Sequence, residues 1–512
     1  MHLVDIRKPR APRNAGFIGV GSNSYVGEGI STLRLDTPSF QGDVLTVSLE
    51  PCDRGEAFNG GMSAYDVTDP KNPKPLFEGF GDFDQHPELG ANASHSLFSW
   101  DAGRRAFSII TDNEERENVD IIEITDPRNP KLIAEFGLDD WPEAKRPLAF
   151  GSTAYHHDLW VKKIEGRWTA LLSYWDAGYI ALDVTDPENP RYLGDTDWPR
   201  RDPITGVSPA EGNAHQGTWD SDDELILGAD EDFGAFRTSL RIDGAEAVAG
   251  EFGWARPVAE VRGRRLSGRV VFGGRGCEPT IPSPPAGGSG DKIVVVERGD
   301  CFFSTKVRLA QEAGYDAVII PNSHEGAAEG DQPNATVCGS AAESFDVTIS
   351  AICTTHAALH EMFGIEISYG ERLEPTVGKR GVEVEIASVF DGYGYLNLYD
   401  ADTLEWLDAY AIAQADDARR ARRGGGHLSM HEIKTDPRPD VDLGYLSYYA
   451  GGFRVVSFDE IDGIVERGHF IARGGNDFWG VFPIPRGPRN PLILLSDRDS
   501  GLWILRYTGN AG

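Results

Sequence analysis

Short apolar runs bounded by turn residues dominate the chain, and apolar residues rarely recur with helical spacing. Residues 44–49, 106–111, 170–174, 224–229, 444–448 and 491–496 are six such runs, and each predicts a buried strand. Near-identical blocks follow three of them. Tyr65-Asp66-Val67-Thr68-Asp69-Pro70-Lys71-Asn72-Pro73 recurs as Ile122-Glu123-Ile124-Thr125-Asp126-Pro127-Arg128-Asn129-Pro130 and as Leu182-Asp183-Val184-Thr185-Asp186-Pro187-Glu188-Asn189-Pro190. A spacing of about 60 residues marks internal repetition. In each block an alternating strand ends at Asp-Pro, where the acidic side chain and the fixed proline φ make a tight turn, and Asn-Pro launches the next strand.

Repeats of this period, with four short strands each, predict a mainly β fold, a β-propeller whose radial closure leaves few exposed edges. Six copies and a truncated first one predict seven blades, with residues 1–6 joining a repeat at its third strand and upstream sequence, a secretion signal included, expected before it. The last copy ends at 502–507 without a fourth strand, so an N-terminal strand is expected to close the ring. The alternative is six blades, with 16–20 closing the last blade and 1–6 left over. One repeat is interrupted: it begins at His215, reaches Phe233, and continues at Gly394-Tyr395-Leu396-Asn397-Leu398-Tyr399-Asp400 about 160 residues later. In the gap, 292–297 reads as a strand, 304–314 as a helix and 317–320 as a second buried strand, which together predict a small α/β module. The expected organisation is propeller over 1–237 and 381–512, with the insert at 238–380.

Composition narrows the function. The 512 residues carry 49 Lys and Arg against 81 Asp and Glu, a net charge of −32, which disfavours nucleic acid and anionic membrane surfaces as partners. No apolar stretch approaches the length of a membrane helix.

Two resemblances rest on specific residues. The D-V-T-D-P-x-N-P blocks resemble the LVIVD-repeat β-propellers. The insert is similar to the protease-associated (PA) domain through Ile293-Val294-Val295-Val296-Glu297-Arg298-Gly299-Asp300-Cys301-Phe302-Phe303, Lys306 and Ala310-Gln311-Glu312-Ala313-Gly314-Tyr315-Asp316-Ala317-Val318-Ile319-Ile320. The second resemblance implies a non-catalytic module for substrate access or partner binding. Peptidase machinery does not accompany it: His431-Glu432, His360-Glu361 and His324-Glu325 each lack the second histidine of H-E-x-x-H, and no G-x-S-x-G elbow occurs.

Histidines recur at one place in the repeat, the start of each blade's first, innermost strand: His95, His157, His215 and His431. Second strands end in acids, at Glu50, Asp112, Asp176, Asp230 with Asp232, and Asp497, on the same face. Imidazoles and carboxylates around one mouth of the channel suit a divalent transition metal, so His95, His157, His215, His431, Asp112, Asp176 and Asp230 are the candidate ligands. The competing reading is blade-to-blade hydrogen bonding by both ring nitrogens. His157 is preferred over His156 because a shift of one residue along a strand reverses the side chain. Trp160, Trp175 and Trp219 read as blade core.

Four of the five cysteines lie in the insert, and the favoured pairing is Cys277 with Cys301 and Cys338 with Cys353, which implies an oxidising, extracellular or cell-surface setting. Cys52 stands apart. The expected function is a secreted or surface-associated binding protein whose propeller mouth takes a protein, peptide or small-molecule ligand, with the PA module as lid or docking site. The alternative is a metal-dependent hydrolase or oxidoreductase at the central channel.

Overall fold

The computed structural model describes all residues except 84–89, 145–153, 200, 208–209, 211, 287–289, 329–335, 424–426 and 510–512. Antiparallel four-stranded sheets form five blades. The first contains Ser24–Asp36, Gln41–Pro51, Met62–Asp66 and Lys74–Phe80. The second contains Leu97–Asp101, Ala106–Thr111, Val119–Glu123 and Lys131–Phe136, and the third Asp158–Ile164, Arg167–Ser173, Tyr179–Asp183 and Arg191–Asp195. The fourth is assembled across the insert from Ala214–Trp219, Leu225–Asp230, Leu396–Asp400 and Trp406–Tyr410. The fifth contains Ile433–Thr435, Leu443–Ser447, Phe453–Asp459 and Gly463–Phe470. A sixth sheet has three strands, Phe478–Arg486, Arg489–Asp497 and Gly501–Arg506.

The repeated blocks work as their residues dictate. Asn72 donates to Asp69 through its side chain at 2.7 Å and its backbone at 3.0 Å, and the same closure recurs from Asn129 to Asp126 and from Asn189 to Asp186. Apolar faces of successive sheets then pack on one another, as in the cluster of Ile109, Ile121, Leu159, Leu172, Ile180 and Val184 between the second and third blades.

The arrangement is propeller-like with six blades, a correction to the seven expected. The N-terminal strands His2–Asp5 and Arg13–Phe17 pair with each other rather than with the sixth sheet, so they do not close the ring. Leu3 and its neighbour Met1 lie instead against Leu45, Val47 and Tyr65 of the first blade, which gives these apolar side chains cover where they stand.

The insert is an eight-stranded sheet whose long strands Phe236–Ile242 and Arg380–Phe390 pair from Phe236 opposite Phe390. Parallel strands Ile293–Val295, Ala317–Pro321 and Ser350–Thr354 form its centre, flanked by helices Phe303–Glu312 and His356–Phe363. Disulfides join Cys277 to Cys301 and Cys338 to Cys353, while Cys52 is free and exposed. Among the described residues no helix is long and apolar enough to cross a membrane.

Candidate functional site: a histidine and glutamate ring

Each blade offers one residue to the axis at the start of its first strand: Glu28, His95, His157, His215, His431 and Trp479 in blade order. Hydroxyls at the ends of the second strands hold this register. The amides of Gly29, Ser96, Glu432 and Gly480, each one residue further on, donate to Ser48, Thr111, Ser447 and Ser496. Glu28 sits in a bulge between Val26 and Ile30, and its amide donates to the His95 carbonyl at 2.7 Å. The flanking glycines permit that approach. A Cβ at Gly27 would stand 2.3 Å from the His95 oxygen, and one at Gly29 would stand 2.0 Å from the Leu97 nitrogen.

The four imidazoles form a continuous arc, with ring centroids 4.5 Å apart from His95 to His157, 4.2 Å from His157 to His215 and 4.2 Å from His215 to His431. Glu28 closes it. Its carboxylate lies 3.5, 3.3 and 3.0 Å from the Nε2 atoms of His95, His215 and His431. Two donors on one first-row ion at 2.0–2.1 Å are themselves separated by about 3 Å, so this spacing matches a single coordination shell. Potential ligand atoms lie within 4.8 Å of one another in three groups: Glu28 with His95 and His157, Glu28 with His215 and His431, and Glu231 with His157 and His215.

Electrostatics divide the imidazoles. Burial depresses His95 and His215, but the hydrogen bonds and charges of Glu28 with Glu50, and of Glu28 with Glu231, outweigh it and raise them to about 10 and about 9. At His157 the charge of Glu28 does not outweigh burial. Burial, then the neighbouring His215, pushes it well below its usual value, so its imidazole is neutral and its Nδ1 has no hydrogen-bond partner. Despite its burial, Glu28 is held well below the carboxylate range by His431 and His215.

An aromatic rim covers the ring. Trp175 and Tyr449 occupy equivalent turns after the second strands of the third and fifth blades, with φ of +43° and +40°, conformations that bulky residues rarely adopt. Bridges to Ala214 and Phe478 in the next blades hold the turns. The Trp175 ring lies 5.1 Å from His157 and is stacked on Tyr155; Tyr449 lies 5.1 Å from His431 and donates to Glu231 at 2.5 Å. On the other side, a cavity of about 420 Å³ runs along the first strands past Asp158, Trp160, Gln216 and Lys434 to Leu494 and Leu502 of the sixth blade.

Sequence reasoning and structure part company over the carboxylates. Among the described residues, the groups that contain histidine take their acids from Glu28 and Glu231, not from Asp112, Asp176 or Asp230. Asp230 accepts from Asn397 at 2.7 Å, Asp112 accepts from Asn92 at 2.8 Å, and Asp176 is buried beside Trp198. Glu231, one residue past Asp230, turns to the ring, while Glu50 meets His95 Nδ1 at 3.1 Å. The histidine pattern does not mark Glu28, because blade one has glutamate where later blades have histidine; its signal in the sequence is position, in Gly27-Glu28-Gly29. His156 points the other way, stacked on Tyr174 and bonded to the Asn118 carbonyl. Trp219 is core, whereas Trp175 belongs to the rim and Trp160 is half-buried along the cavity.

Fold and site together define a propeller-like protein with an inserted PA domain and a ring of histidines and glutamates at one mouth. The PA domain family model matches residues 266–362. The E3 ubiquitin-protein ligase RNF13 of Homo sapiens and of Bos taurus is 38% identical over 72 residues, which is 14% of this chain and 18% of each relative. The chain thus spans less than a fifth of those relatives. Among solved structures, a putative 6-phosphogluconolactonase from Bacteroides uniformis covers 88% of this chain and 89% of its own at 12% identity and a TM-score of 0.31. The zinc aminopeptidase BSAP from Bacillus subtilis covers 34% and 36% at 15% identity and a TM-score of 0.21.

Proposed function

We propose that this protein is a metal-dependent enzyme, a hydrolase or an oxidoreductase, whose ion is held by His95, His157, His215 and His431 with Glu28. The observation that supports this reading is the convergence of three imidazoles, those of His95, His215 and His431, on the Glu28 carboxylate at 3.0–3.5 Å, with His157 grouped beside them between His95 and His215. Imidazole donors suit iron, copper or zinc. Glu50, on the Nδ1 side of His95, would orient that imidazole as an outer partner, whereas Glu231 faces the Nε2 atoms of His215 and His431 at 3.8 Å and would stand beside the ion as a further acid. The aromatic rings of Trp175, Tyr155 and Tyr449 over the imidazoles would offer an apolar approach to a small-molecule substrate. Elemental analysis of the purified protein tests this. About one equivalent of a first-row transition metal is expected, lost in His157→Ala and His215→Ala variants that remain folded. Metal-free protein whose melting temperature does not respond to added Fe(II), Cu(II) or Zn(II) would end the reading.

The PA domain and the propeller-like fold also suggest a protein-interaction module. The insert leaves the fourth blade between Asp230 and Leu396, beside Glu231, which supports a PA module poised at the same mouth as lid or docking site. Two disulfides and a PA domain fit an extracellular protein. The D-V-T-D-P blocks support membership of the propeller in the LVIVD-repeat group.

A further inference from the structure

Blade two carries a second cluster of acids, remote from the imidazoles in chemistry and in partners. Asp112 directly follows the second strand, Glu115 lies in the following turn, and Asp120 sits on the third strand, with potential ligand oxygens all within 4.8 Å of one another. Glu115 also groups with Asp82, just after the last strand of blade one, and with Glu135 on the fourth strand.

Asp120 is the anomaly. It pairs with Ile110 and shares a strand face with Ile122, both of which pack in the core between blades one and two. An apolar side chain belongs there, and the register gives Ile180 at the equivalent position of blade three. Where other blades place a polar residue at this position it has a partner: Asn397 donates to Asp230, and Arg454 meets Glu466. Asp120 is 0% exposed and neither of its carboxylate oxygens has a hydrogen-bond partner. Glu115 Oε1 is likewise buried without a partner. Among the described residues, Asp112, Glu115 and Asp120 form no ion pair with lysine or arginine. A carboxylate desolvated in this way costs several kcal/mol unless a proton or a cation answers it.

We propose that Asp112, Glu115 and Asp120 bind a hard divalent cation, calcium, at a site independent of the histidine ring. The donors are oxygen only, and they come from a strand end, a turn and a strand, an irregular set that calcium accommodates with six to eight oxygens and that the strict octahedron of magnesium does not. Hydrogen bonds from outside the cluster orient Asp112. Asp112 accepts the Asn92 side chain through Oδ2 and the Glu114 amide through Oδ1, and each carboxylate oxygen keeps a second lone pair for a cation. A bound ion would fasten the turn after the second strand of blade two to its third strand beside the edge of blade one.

The experiment uses the full chain stripped with a chelator and then dialysed free of it. Calcium chloride titrated by calorimetry should bind at one equivalent and raise the melting temperature by about 5 °C at saturation. The His215→Ala variant should respond as the parent does, which separates this site from the imidazole ring. Asp120→Asn should abolish both signals. Glu115→Gln, in the half-buried turn, should weaken calcium at least tenfold and serves if Asp120→Asn does not fold. Calcium without heat or thermal shift at 5 mM, a full response retained in Asp120→Asn and Glu115→Gln, or an equal response to magnesium chloride would each overturn the proposal.

Discussion

His431 Nε2 lies 3.0 Å from Glu28 Oε1, a contact across the channel mouth between residues 403 positions apart. The same carboxylate also faces His95 and His215, so its charge balances several imidazoles in a dry site. Glu28→Gln keeps the shape and removes the charge. It should lower folding stability by about 3 kcal/mol in urea unfolding and weaken transition-metal binding about 10- to 100-fold by competition with a chromogenic chelator. Parent-like values in both measurements would remove Glu28 from the centre.

The rim makes a kinetic prediction. Trp175→Gly relieves a left-handed backbone and uncovers His157, so the variant should fold with stability within about 1 kcal/mol of the parent. Bound metal should then pass to EDTA several-fold faster, followed by stopped-flow absorbance. An unchanged rate would mean that the rim does not gate the ring.

Asp176 gives a pH signature. Burial raises its carboxyl from 3.8 to about 7. The folded state therefore holds a proton that the unfolded state releases, and stability falls as pH rises from about 4 to about 7. Asp176→Asn should flatten that slope and be more stable than the parent above pH 7 by a few kcal/mol, since each tenfold difference in proton affinity between the two states is worth roughly 1.4 kcal/mol. Denaturant unfolding at pH 5 and pH 8 measures the difference directly.

The insert should be separable. Phe236 and Phe390 stand opposite each other in register, so replacing 237–389 with a two-residue glycine linker joins strands that already meet. The shortened chain should keep cooperative unfolding and its metal. In the intact chain, Cys338→Ser with Cys353→Ser should destabilise the insert by about 3 kcal/mol while leaving the propeller transition in place. Collapse of the propeller in either case would mean that the two parts share a core.

Repetition was legible in the sequence because the Asp-Pro turns are local: Asp69 and Asn72, or Asp126 and Asn129, need only each other. The insert and its two disulfides were legible for a similar reason, since a contiguous module carries its own core. The common position of the four histidines followed from the register of first strands, which alternation makes predictable two residues at a time. Blade number did not follow, because whether the N-terminal strands extend the sixth sheet or pair with each other depends on which apolar surface lies nearest once the ring has formed. Nor did the carboxylates. Glu231 rather than Asp230, and Glu28 rather than any aspartate, reach the imidazoles because a bulge and a one-residue turn decide which side chain faces the axis. Those decisions are made where side chains from distant parts of the chain come within about 3 Å of one another, as His431 does with Glu28.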